Sequence, residues 1–133
     1  MKRAPLGVLL ALACSSAAAE WTPVGGKERI FSAYADKTSI AKTGNSVRML
    51  SLYDFLMADV SADGHPHAST VALREYDCRL KQVRLLAYVD YAGNMGTGRV
   101  ISPANAKGSD RWDPVVPGAL DESFLAVACT GPD

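Results

Sequence analysis

The chain has 133 residues, 48% of them apolar and 21% charged, a balance that fits one folded domain and excludes a disordered tail. Its 14 basic residues match its 14 acidic ones, so bulk charge recruits neither nucleic acid nor an anionic membrane, although a local basic patch stays open. Residues 1–19 hold Lys2 and Arg3 and no acid, so the remainder carries a slight acidic excess.

The N-terminus reads as an export signal. Lys2 and Arg3 supply a positive start, residues 6–13 an apolar run, and Ala17-Ala18-Ala19 the small-residue pattern at which signal peptidase cuts. This predicts a signal peptide over 1–19 and a mature domain over 20–133. The apolar run is shorter than the roughly twenty residues needed to cross a bilayer. Ala11-Leu12-Ala13-Cys14 also resembles a lipobox, which would make Cys14 a lipid-bearing residue; Ala11 stands where Leu is usual, and the alanines at 17–19 fit plain cleavage better. Both readings place the domain outside the cytoplasm, in the periplasm or at the outer-membrane surface.

Three cysteines less Cys14 leave one pair, Cys78 and Cys129, and an oxidising compartment makes a disulfide between them the default. Closing so long a loop is worth roughly 4 kcal/mol by chain entropy. Two free thiols at a metal or redox site are the alternative, with no CxxC motif to support it.

Along the chain, residues 28–35 suit a strand, with Asp36-Lys37-Thr38 as a turn and residues 39–42 as a short second strand. Thr43-Gly44-Asn45-Ser46 reads as a hairpin turn, because Gly and Asn tolerate positive φ. Residues 47–55 carry apolar side chains on both faces, as a covered central strand does, with a helix as the weaker alternative. Residues 58–68, polar and rich in breakers, read as an exposed loop. Strands follow at 69–78 and 79–91, then a turn at 92–96 and a short strand at 98–102. Leu120, Phe124, Val127 and Ala128 recur at helical spacing, with Asp121 and Glu122 in the first turn, where acids favour the helix dipole. The fold class expected is α+β: a single antiparallel meander sheet backed by a C-terminal helix that the disulfide ties down.

Several residues together resemble the surface-adhesin protein E family of Gram-negative bacteria. They are Trp21 to Val24, Tyr34-Ala35-Asp36, Ser39-Ile40, Gly44, Val47 to Asp54, Ser69, Tyr76-Asp77-Cys78, Gly98, Trp112, Val115 to Gly118 and Ala128-Cys129. The resemblance implies the same sheet, helix and cysteine tie, with exposure at the outer membrane or in the periplasm. It further implies contact with a protein partner, of the extracellular matrix or the outer membrane, and a homodimer as one arrangement. The basic ligand-binding segment of the family's adhesin has no counterpart here.

No GxSxG elbow, HExxH or phosphate-binding loop is present, so the expectation is a non-enzymatic contact module with no catalytic residue, metal or cofactor. Its partner would meet the segment bearing Asp59, Asp63, His65 and His67 first, then a strand edge or sheet face. The alternative is a periplasmic carrier of a small ligand, haem or a metal, using His65 and His67. Trp21 and Trp112 are expected in the core rather than at an interface.

Overall fold

The computed structural model describes residues 19–60, 64–101 and 106–131. Five long strands run in sequence order, β1 (Trp21–Lys27), β2 (Phe31–Thr43), β3 (Ser46–Val60), β4 (Pro66–Asp77) and β5 (Gln82–Tyr91), each antiparallel to the next. Also among the described residues, two short strands, β6 (Ala106–Lys107) and β7 (Asp113–Pro114), both pair with β5, and one α-helix, α1 (Leu120–Thr130), follows them. The α+β class holds, and the meander extends through β5. Beyond it, the chain doubles along the outer edge of one strand.

The helix lies on the face built from Ala33, Ala35, Val47, Met49, Tyr76 and Val83, into which Phe124, Leu125 and Ala128 are buried. Alternation places these residues on one side, because directly paired residues of an antiparallel ladder share a face: Val47 pairs with Tyr76, and Tyr76 with Val83. Small Ala33 and Ala35 let the helix approach, while Phe124 packs against the Tyr53 ring with centroids 5.9 Å apart. The Cys78–Cys129 disulfide, spanning Cα atoms 5.8 Å apart, fastens the end of α1 to the β4–β5 turn.

Beneath the helix sits a polar group. Arg74 Nη1 donates to Ser51 Oγ at 3.1 Å and to the Tyr53 hydroxyl at 3.0 Å. Burial raises the Tyr53 phenol above its usual range against the opposing Arg74 charge, and raises the fully enclosed Tyr76 phenol further. Both phenols are neutral at physiological pH, the Tyr53 hydroxyl accepting from Arg74 and the buried Tyr76 hydroxyl without a hydrogen-bond partner among the described residues.

Strand β1 takes in Pro23, Gly25 and Gly26, with a bulge between Pro23 and Gly25. The strands expected from residues 28 and 79 begin at Phe31 and Gln82, after turns, and three further expectations need correction. Asp36-Lys37-Thr38 is no turn between strands but an irregularity inside β2, where Asp36 Oδ1 accepts from the Thr38 amide at 2.9 Å and Ser39 Oγ donates to the Asp36 carbonyl. Of the segment 58–68, residues 58–60 complete β3 and residues 66–68 begin β4; Asp59 pairs with His67. The strand expected at 98–102 is, among the described residues, a single bridge between Tyr91 and Val100. The turn at 43–46 and the helix stand as read, with Gly44 at φ 64°.

Candidate functional site

Among the described residues the sheet's second face carries no α-helix. Its rows follow from the register: Trp21, Asp36, Leu50, Leu73 and Ala87 are successive cross-strand partners, and so are Pro23, Tyr34, Leu52, Val71 and Val89. A tight turn at Asn94–Gly96 covers part of it. Met95 N–H donates to Asp54 Oδ1 at 2.7 Å, Gly96 N–H to Ser69 Oγ at 2.9 Å, and a Cβ on Gly96 would meet Val71 and Leu52. Leu52 is thereby fully buried, whereas Tyr34, Leu50, Leu73 and Ala87 stay half-exposed. The amides of this glycine-bearing turn are thus occupied by the protein's own oxygens.

One end of the same face is charged. Glu75 is buried to 4% exposure and accepts from Arg84 Nε and Nη2 on Oε1, at 2.9 and 2.6 Å, and from Ser46 Oγ on Oε2. Arg48 stands 4.0 Å away, and the Arg84 guanidinium stacks 4.6 Å above the Trp112 ring. Burial alone would raise the Glu75 carboxyl; the Ser46 and Arg84 hydrogen bonds, with the Arg84 and Arg48 charges, outweigh it and hold the carboxyl below the usual carboxylate range. A depressed carboxyl contributes stability that is fully present above its unfolded value near 4.5 and is lost as pH falls through the lower folded value. The urea midpoint of the wild type should therefore exceed that of Glu75→Gln at neutral pH, and the gap should narrow on acidification below about pH 4.5. A gap independent of pH would show that the carboxylate charge contributes nothing.

Trp21 and Trp112 correct the core expectation: both are half-buried, Trp21 on the helix-free face opposite Asp36 and Trp112 against Arg84. The face thus gathers Trp, Tyr and Arg, the residue types that dominate binding energy at protein interfaces.

The residues singled out at the β3–β4 end are separated by the fold. Asp59 and His65 are exposed, Asp63 and Cys14 lie outside the described residues, and His67 is buried at 5% exposure. His67 Nε2 lies 3.6 Å from Asp90 Oδ1, which also accepts from Thr70 Oγ1 at 2.7 Å, and the Phe55 ring meets the imidazole edge-on. His67 is thus enclosed at the sheet end, its Nδ1 buried without a hydrogen-bond partner among the described residues. A hollow of about 240 Å3 beside it, lined in part by His65, Pro66, Arg99 and Ile101, is smaller than the roughly 300–1,000 Å3 of ordinary ligand pockets. Among the described residues no group of three or more His, Cys, Asp or Glu is placed to hold a metal, and no helix is long and apolar enough to cross a membrane.

The helix-free face escaped sequence reading because sidedness depends on register, which one bulge inverts. Its signal was present in Trp21, Tyr34 and Leu50.

The fold matches solved structures at low identity. One crystal form of Haemophilus influenzae protein E superposes with a TM-score of 0.62 and 13% identity, covering 86% of this chain and 97% of that one. Protein E from non-typeable Haemophilus influenzae gives 0.63 and 12%, over 87% and 79% respectively. No curated protein matches the chain. The family model for surface-adhesin protein E matches residues 21–130, which is nearly all of the described domain. The chain belongs to the surface-adhesin protein E family.

Proposed function

We propose that this protein is an exported, non-enzymatic contact module that holds a protein partner through the helix-free face of its sheet. The observation that carries the reading is the placement of Trp21, Tyr34, Leu50 and Leu73 on that face with Arg84 and Trp112 at its end, half-buried and, among the described residues, covered by no element beyond the 94–96 turn. Family membership supports a surface adhesin-like role. Export through a signal peptide over 1–19, with or without a lipid on Cys14, belongs to the same proposal, and the partner it implies is a matrix or outer-membrane protein.

The burial of His67 favours the sheet face over the β3–β4 end, where Asp59 and His65 are exposed. The test compares two double variants. Leu50→Lys with Leu73→Lys places charge on the face without touching the helix side, and Asp59→Ser with His65→Ser neutralises the strand end. Binding to immobilised matrix and outer-membrane fractions should fall at least tenfold for the first pair and change little for the second, with both melting cooperatively. The reverse ordering would move the site to the strand end, and a saturable hydrolase or transferase activity in the purified protein would overturn the contact reading.

A further inference from the structure

Beyond its contact role, the domain carries a fastening that chemistry can reach. Cys78 and Cys129 are both half-buried, and both line an open cleft of about 620 Å3. Lys81, Val115, Leu125 and Ala126 share its walls with Glu122, whose carboxylate is engaged by the Gly118 N–H at 3.0 Å. An accessible disulfide beside a cation is the environment in which exchange proceeds, because a nearby positive charge favours the thiolate that must leave.

What the bond holds is separable from the rest. Helix α1 has 11 residues, Ala119 provides no side-chain cap, and among the described residues no strand of the sheet follows it. A helix of this length does not persist in water by itself. Strands β1 to β5, by contrast, hydrogen-bond to one another and not to α1, so α1 can leave without breaking a strand pairing. Its departure would uncover Ala33, Ala35, Met49 and Tyr76, all fully buried beneath it.

We propose that the Cys78–Cys129 bond is a redox-addressable latch: a dithiol reductant entering the cleft opens it and frees α1 from the sheet, while the strands stay paired. The thiolate of the dithiol attacks one sulfur of the bond, forming a mixed disulfide and releasing the other cysteine as a thiolate. The second thiol of the reductant then displaces the remaining cysteine. The reductant ends as its own disulfide, and its two electrons and two protons end on Cys78 and Cys129 as thiols.

The test is hydrogen-exchange mass spectrometry of the full chain, oxidised and then reduced with dithiothreitol under native conditions. Peptides covering 120–130 should exchange at least tenfold faster after reduction, while peptides of β3 and β4 keep their protection. The double variant Cys78→Ala with Cys129→Ala should reproduce the reduced pattern without reductant and ignore its addition. A loss of protection spread evenly over strands and helix would overturn the latch, since the bond would then support the whole fold. So would a bond that resists dithiothreitol until the protein is denatured, or a helix equally protected in both states.

Discussion

Replacing Phe124 by alanine is expected to lower the free energy of unfolding by about 3–5 kcal/mol, the range for removing an enclosed aromatic side chain. The ring is 0% exposed, faces the Tyr53 ring and lies among Ala33, Ala35 and Met49. Two of these neighbours are alanines, which have no side-chain length with which to fill the space. The cavity term therefore stays near its upper limit, because the backbone of β2 is held on both sides by β1 and β3 and cannot collapse inward. Urea denaturation of Phe124→Ala beside half-buried Val127→Ala provides the measurement. Equal losses from the two would place the centre of the core elsewhere.

Cys129→Ser is expected to cost about 2–5 kcal/mol by a different route. The bond closes a loop of 51 residues, and removing it enlarges the unfolded ensemble and unfastens α1 while the strand pairings remain. Non-reducing peptide mapping should give one linked pair containing residues 78 and 129. Quantitative alkylation of both cysteines without reductant would contradict the pairing. The Phe124 and Cys129 substitutions act on the same docking of α1 and should not be additive.

The parts of the fold that were legible in the sequence are those fixed by local chemistry. Gly44 announces the β2–β3 turn because few other residues accept its φ of 64°, and the spacing of Leu120, Phe124 and Ala128 announces the helix because each apolar position meets the same sheet face. Where local and tertiary demands conflict, reading failed. Asp36 has the hydrogen bonds of a turn-former, yet β1 and β3 pair with the backbone around it and keep the chain extended. His67 sits in a stretch of polar residues, but its ring is enclosed by Phe55 and Asp90, which arrive from distant strands. The candidate surface suffers the same way: Trp21 and Trp112 are strong interface residues, and only the pairing of Trp21 with Asp36 and the stacking of Trp112 on Arg84 tell which side they occupy.

The crowding along β5 bears on how copies of this protein meet. Its outer edge is occupied from end to end: Val115 N–H donates to the Lys81 carbonyl, Asp110 and Gly108 to Leu85 and Leu86, and Ile101 to Asp90. Extending a sheet from molecule to molecule requires two complementary free edges, one to offer and one to receive. Among the described residues this sheet offers only its β1 side, where β1 is short and interrupted by Pro23 and leaves β2 unpaired beyond Asp36. Strand addition through these strands can thus join that side of one copy to the same side of another and stop at two, rather than grow into a filament.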